Sequence, residues 1–160
     1  MPLLLGQDAS ATKFREQCKD CSLVHLATHA ELNSKKPDES YLLFADQKIT
    51  VPEVLFLKLN KSRLVVLSAC QTGLGANGLE CATLARAFAH AGTPTVVATL
   101  WQVNDGVSEA LVNQFYTELE TSETGPSQAL AKAKRNMTKH VRKEWRSPWM
   151  WAGYVMFGAR

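Results

Sequence analysis

The chain has 160 residues, of which 46% are hydrophobic and 21% are charged, and its formal net charge is +3. This length allows one buried core without a disulfide or a metal, and so mild a charge argues neither for nor against a nucleic-acid partner. Because no apolar run reaches the roughly 18 residues of a membrane span, the sequence argues against an integral membrane protein. The four cysteines, Cys18, Cys21, Cys70 and Cys81, are unevenly spaced, which argues against a secreted disulfide framework and favours a cytoplasmic protein.

The first half of the chain predicts short strands and helices joined by polar loops. From the N terminus these are a strand at 3–5, a helix at 10–18, a buried strand at 23–29, a hairpin at 41–51 that turns at 45–47, and a helix at 52–58 with Pro52 in its first turn. The strand at 23–29 is predicted as buried because its residues are almost continuously apolar.

The second half alternates apolar runs with helical patterns. It predicts a strand at 63–69, a helix at 79–91 stopped by Gly92, a strand at 93–101, a helix at 107–120, a helix from 125 to about 140, and a strand at 150–158. Buried strands that alternate with helices predict an α/β fold, in which a mostly parallel central sheet carries helices on both faces.

Two predicted strands end in residues that can perform chemistry. The strand at 23–29 ends at His29, and the strand at 63–69 is followed by Cys70. Ligand sites in parallel sheets lie at the carboxyl ends of the strands, and an imidazole beside a thiol can withdraw its proton and later protonate a leaving amine. The pair therefore predicts acyl transfer through a thioester. The alternative is that Cys70 is a small core residue and His29 a solvated one.

Four blocks of the sequence, in order, resemble one protein family. They are HLATHA, LVVLSACQTG, LARAFAHAGTPTVVATLWQVND and SPWMWAGYVMFG, and together they resemble the CHAT domain, which is grouped with the caspases, separases and gingipains. The resemblance covers about residues 3–158 and implies a caspase-like three-layer sandwich. It also implies that residues 1–160 are a single CHAT-like peptidase domain, which we expect to be the C-terminal part of a longer protein.

The resemblance implies a role for His29 and Cys70 as a catalytic dyad. His29 matches the second histidine of the HxxxH pattern of the family, and Cys70 matches the cysteine of SAC. Cys70 would attack the scissile carbonyl while the backbone N–H groups of Cys70 and Ala30 form the oxyanion hole. The family usually has glycine in place of Ala30, so we expect strain there if this turn requires a positive φ.

The segment LWQVND implies where the substrate binds. In caspase-like folds this part of the chain runs beside the substrate and pairs with it as an extra strand, and a similar Trp-x-Val-x-Asp stretch in separases places an acidic residue opposite a basic P1 side chain. Asp105 is the matching residue, with Trp101 and Val103 as candidates for the pocket wall, which predicts cleavage after Arg or Lys. Alternatively, Asp105 is the N-cap of the helix that begins near Val107, and Trp101 is a core residue.

Cys18 and Cys21, followed by His25 and His29, raise the hypothesis of a zinc site. The spacing between the two pairs is too short for a zinc finger, so we expect no metal and no cofactor. A redox pair is also disfavoured, because Cys18 and Cys21 do not open a helix after a strand. His25 lies deep in its strand, and we expect a hydrogen-bonded core histidine and not a catalyst.

The residues and the resemblance together favour a cysteine endopeptidase that cleaves a protein substrate. The resemblance also implies that such a domain is joined to a TPR or other helical-repeat region, which binds partners. Seven basic residues between positions 132 and 146 predict a solvated helix face and not a nucleic-acid surface, and we expect no membrane partner. Two alternatives stay open. One is a catalytically silent caspase-like scaffold, and the other is an unrelated doubly wound domain in which Cys70 is inert.

Overall fold

The computed structural model describes residues 3–33, 35–68, 70–71, 79–121 and 125–158, and at residues 70, 71, 79 and 80 it describes the backbone alone. The chain divides into two compact units. The first is Met1–Trp101 with Val155–Ala159, and the second is Gln102–Tyr154 with Arg160. The strands that carry the predicted dyad lie in the first unit.

Strands and helices alternate along the described parts of the chain. The strands are β1 (Leu23–Leu26), β2 (His29–Glu31), β3 (Tyr41–Leu43), β4 (Lys48–Thr50), β5 (Leu64–Leu67), β6 (Cys70–Gln71), β7 (Thr95–Thr99) and β8 (Tyr154–Gly158). The α-helices are α1 (Ala11–Gln17), α2 (Val51–Leu55), α3 (Leu79–His90), α4 (Asp105–Thr121) and α5 (Pro126–Met137). The predicted mixed α/β class is confirmed.

The first sheet has the strand order β1-β5-β7-β8, and its strands β1, β5 and β7 run parallel. Every residue of β5 and β7 is buried, because both strands are covered on their two faces. This burial explains why the sequence shows continuous apolar runs at these places and no alternation. The predicted strands at 63–69 and 93–101, and the mostly parallel sheet, are confirmed.

Helix boundaries in the first unit follow local capping chemistry. The side chain of Ser10 accepts a hydrogen bond from the Lys13 N–H (3.2 Å) at the start of α1. The carboxylate of Glu53 accepts from the N–H of Thr50 (2.8 Å), which forms a capping box at the start of α2. Helix α3 ends two residues before Gly92, whose φ of +116° is a conformation that side chains rarely adopt.

The second sheet has the strand order β4-β3-β2-β6. Strands β3 and β4 form the predicted hairpin, which is closed by a hydrogen bond from the Phe44 N–H to the Gln47 carbonyl (2.9 Å). Strand β2 pairs antiparallel with β3 on one side and parallel with β6 on the other. The sheet therefore places β2, which begins with His29, beside β6, which begins with Cys70.

Two predictions about the first 30 residues are wrong. Residues 3–5 form no strand, because no described strand pairs with them; Leu3 is 75% exposed and Leu5 67%. The run at 23–29 is not one strand, because it is interrupted at residues 27–28 between β1 and β2. Hydrophobic patterning detects apolar runs but not the pairing partner that a strand requires.

The second unit is built on helices α4 and α5, which pack against each other. The predicted apolar face of α4 is buried at Val107, Leu111 and Phe115, all of which are 0% exposed. Ala133 and Met137 of α5 are 0% exposed as well. The helical spacing of the sequence, which places Val107, Leu111, Phe115 and Leu119 on one face, thus identified the buried side of α4, although Leu119 is only half-buried.

Candidate active site

The strand pairs β1–β5 and β2–β6 are both parallel, and together they form one ladder with an interruption. Leu23 of β1 pairs with Leu64 of β5, and His29 of β2 pairs with Cys70 of β6, so that the partner lies 41 residues later in both cases. Between the two pairs, the N–H of Ser68 donates to the carbonyl of Leu26 (3.0 Å). The register of β1 and β5 is therefore kept across the interruption and sets the register of β2 and β6.

His29 and Cys70 are direct partners in this ladder. Their Cα atoms face each other in the parallel β2–β6 pair, and neighbouring strands in a sheet lie about 4.8 Å apart. The His29 side chain is exposed. The fold thus brings the backbones of the two predicted dyad residues together at the site where the sequence placed them, and it leaves the imidazole open to solvent.

Ala30 follows His29 in the middle of β2. It pairs with Leu42 of β3 and with Gln71 of β6, and its side chain is only 3% exposed. No described residue other than glycine has a positive φ. The strain expected if alanine replaced a glycine of positive φ is therefore absent, because position 30 has ordinary strand conformation.

A polar surface that the sequence reasoning missed lies on the same side of β2 as His29. His29 and Glu31 are both exposed while Ala30 between them is buried. The hydroxyl of Tyr41, directly opposite on β3, donates to the Glu31 carboxylate, and the ammonium of Lys48 lies 3.8 Å from the centre of the Tyr41 ring. The two-residue period of a strand, read onward from His29, was the signal that could have identified Glu31.

His25 is hydrogen-bonded, as predicted, but it is half-buried and not a fully buried core residue. Its Nε2 atom lies 3.0 Å from the Oγ atom of Ser68, the last described residue before Cys70. Burial lowers the pKa of His25 because it disfavours the charged imidazolium. His25 is therefore neutral at neutral pH, with one ring nitrogen as donor and the other as acceptor.

The family is shown by comparison with known proteins. The model of the CHAT domain family matches residues 1–159. The chain belongs to the CHAT domain family. Members of this family are generally caspase-like peptidases, in agreement with the mixed α/β fold and its mostly parallel sheet. No curated protein matches the chain.

The predicted substrate segment of this CHAT domain contains residues of different exposure. Trp101 is half-buried, Val103 is 5% exposed, and Asp105 is exposed as the first residue of α4. The alternative prediction, that Asp105 is the N-cap of this helix, is wrong, because the N-cap is the preceding residue, Asn104. The Oδ1 atom of Asn104 accepts from the N–H groups of Gly106 (3.0 Å) and Val107 (3.4 Å) and so caps the helix.

The Cys18 and Cys21 thiols of the CHAT domain are hydrogen-bonded to their own chain. The thiol of Cys18 donates to the carbonyl of Arg15, and that of Cys21 donates to the carbonyl of Gln17 (3.4 Å). Burial raises the pKa of Cys18 to about 11, so its thiol is protonated at neutral pH. Within the described ranges, no three His, Cys, Asp or Glu side chains are grouped as metal ligands.

None of the described helices combines the length and the apolar character needed to cross a bilayer.

Proposed function

We propose that this CHAT domain is a cysteine endopeptidase in which Cys70 is the nucleophile and His29 is the general base. The observation that carries the proposal is the direct pairing of the two residues in the β2–β6 ladder. A thiol becomes a strong nucleophile only when a neighbouring group takes its proton. The exposed imidazole of His29 is proposed as this group, because His29 is the residue directly opposite Cys70 in the ladder.

The proposed reaction proceeds through an acyl-enzyme. His29 takes the thiol proton of Cys70, and the thiolate sulfur forms a bond to the scissile carbonyl carbon. The carbon–nitrogen bond then breaks, and the imidazolium of His29 gives its proton to the leaving amine. A water molecule, deprotonated by His29, attacks the thioester and releases the carboxylic acid, while the thiol of Cys70 is restored.

The tetrahedral intermediate needs two hydrogen-bond donors. We assign these to the backbone N–H groups of Cys70 and Ala30. The ordinary strand conformation of Ala30 supports this assignment in one respect, because alanine in place of glycine causes no strain at this position. The backbone N–H is the same for both residue types.

The proposed substrate is a protein with Arg or Lys at P1. The side chain proposed to bind this group is Asp105, and the proposed pocket wall is formed by Trp101 and Val103. The exposure of Asp105 supports the first role, whereas the burial of Val103 (5% exposed) leaves it little surface for a substrate. A helical-repeat region is the proposed regulatory partner, and the cytoplasm the proposed location.

The experiment uses a peptidyl electrophile with arginine at P1, which forms a thioether with an activated cysteine. We expect covalent labelling of the wild-type chain that is lost in Cys70→Ala and falls at least a hundredfold in His29→Ala. Cys81→Ala is the matched control, because Cys81 is a buried thiol of α3 outside the proposed site. A folded chain whose labelling does not depend on Cys70 would contradict the proposal and favour the scaffold.

Replacing the P1 arginine of the probe tests the substrate class separately. We expect a probe with glutamate or leucine at P1 to label more slowly than the arginine probe, and Asp105→Asn to reduce the difference. Equal labelling by all three probes would contradict the assignment of Asp105 without affecting the dyad.

A further inference from the structure

One side-chain hydrogen bond crosses the interruption of the ladder. His25 of β1 pairs in register with Val66 of β5, so Ser68 is its diagonal neighbour two residues further along. The His25 Nε2 atom lies 3.0 Å from the Ser68 Oγ atom. A diagonal pair of this kind is within reach of a long side chain such as histidine.

The two residues joined by this hydrogen bond are close in sequence to the two proposed catalytic residues. Ser68 precedes Cys70 by two residues, and His25 precedes His29 by four. At this point the described backbone contributes the hydrogen bond from the Ser68 N–H to the Leu26 carbonyl. A side-chain bond and a backbone bond thus both hold Ser68 against β1, immediately before the chain enters β6.

We propose that His25 and Ser68 are a positioning pair, which fixes the strand that carries Cys70 against the strand that carries His29. The inference rests on the proposed function, because it assigns the pair a role in that reaction. Neither residue touches the substrate in this account. Their hydrogen bond sets where Cys70 enters β6, and therefore how the thiol meets the imidazole.

The chemistry of the pair suits this role. A neutral imidazole offers either a donor or an acceptor at Nε2, and the serine hydroxyl rotates to match it. If His25 gains a proton at low pH, Nε2 becomes a donor and the serine oxygen can accept. The bond therefore persists in both protonation states of His25, while the dyad itself changes protonation during every turnover.

The experiment compares two serines at opposite ends of β5. Ser68→Ala removes the hydroxyl bonded to His25, whereas Ser62→Ala removes a buried hydroxyl that donates to the Leu64 carbonyl (3.3 Å) at the other end. The readout is the rate at which iodoacetamide alkylates Cys70 between pH 5 and 9, measured by mass spectrometry of its peptide. Stability loss alone would affect both variants, but only misplacement of the thiol would move the pH profile.

For the wild type we expect an inflection of the alkylation rate well below pH 8.5, the value of an ordinary thiol. We expect Ser68→Ala to move the inflection toward about pH 8.5 and to lower the alkylation rate of Cys70 at pH 6 by roughly ten- to a hundredfold. Ser62→Ala should keep the wild-type profile. Ser68→Thr, which retains the hydroxyl, should keep most of the rate. His25→Phe, which fills similar space without a ring nitrogen, should reproduce Ser68→Ala.

The outcomes separate the two proposals. A wild-type profile with the inflection of an ordinary thiol would overturn the dyad, and the positioning pair with it. A low wild-type inflection that Ser68→Ala and His25→Phe both preserve would overturn the positioning pair alone. If Ser68→Ala does not fold, His25→Phe and Ser68→Thr decide by the same comparison.

Discussion

His29 and Cys70 are direct partners in a parallel strand pair, although 41 residues separate them in the chain. The pairing is the continuation of a longer ladder between β1 and β5, whose register it shares. The buried strands of the first sheet therefore hold the exposed end of the ladder in place. Stability of the core and geometry of the proposed site are coupled through one register.

Ala30→Gly is expected to weaken the fold without improving function. Ala30 is a buried residue in ordinary strand conformation, so glycine would add backbone freedom to the unfolded chain and remove a packed methyl group. We expect the free energy of unfolding to fall by about 1 kcal/mol or slightly more, measured by urea denaturation. A rise in stability, or faster labelling of Cys70, would show that position 30 prefers a glycine conformation.

Asn104→Ala is expected to destabilise α4 by about 1 kcal/mol, because it removes the side chain that caps the helix. Asp105→Asn is expected to destabilise α4 less than Asn104→Ala does, because the cap is provided by Asn104. Thermal denaturation of the two variants checks this order. If Asp105→Asn is the more destabilised of the two, its effect on substrate preference cannot be read as a change in the pocket.

The stability of the protein is expected to decrease as the pH falls below about 6.5. Burial lowers the pKa of His25, so between the usual histidine value and this lowered value the unfolded chain binds a proton that the folded chain does not. The favourable contribution of His25 to the free energy of unfolding is therefore complete above pH 6.5, and it is lost as the pH falls through the pKa of His25 in the folded protein.

Urea denaturation at pH 7, 6 and 5 measures this effect. We expect the pH dependence to be smaller in His25→Phe than in the wild type, because the variant lacks the buried imidazole. An equal pH dependence in wild type and His25→Phe would assign the effect to other groups.

Cys18 is expected to resist alkylation in the folded protein. Its thiol is 3% exposed, and burial raises its pKa to about 11, so little reactive thiolate is present at pH 8. Cys21 is partly exposed and should react before Cys18. Mass spectrometry after iodoacetamide treatment checks the order, and unfolding in urea should make both react alike. Equal rates in the folded protein would contradict the burial of Cys18.

Local sequence signals predicted the parts of the fold that depend on local chemistry. The continuous apolar runs identified β5 and β7, because strands buried on both faces need no polar residues. The buried face of α4 followed from the helical spacing of its apolar residues. These features are determined by residues within a few positions of each other.

The errors arose where the structure depends on pairing between distant segments. The apolar residues at 3–5 lack a neighbouring strand, and the run at 23–29 is divided by its pairing with β5 and β6, which hydrophobicity does not encode. The position of His29 beside Cys70 could be predicted from strand ends in a parallel sheet. The contact of His25 with Ser68 could not, because it depends on the register of two strands across an interruption.

The 41-residue separation of His29 and Cys70 also determines when the proposed site can exist. Closing a chain segment of this length costs about 3 kcal/mol in loop entropy, which the buried β1–β5 pairing must offset before β2 and β6 can meet. A growing polypeptide would therefore carry an ordinary thiol at Cys70 until both strands had been synthesised and joined. Cutting the chain between His29 and Cys70 would give two fragments, each with one residue of the proposed dyad. Activation of the Cys70 thiol would then report that the two fragments had reassociated.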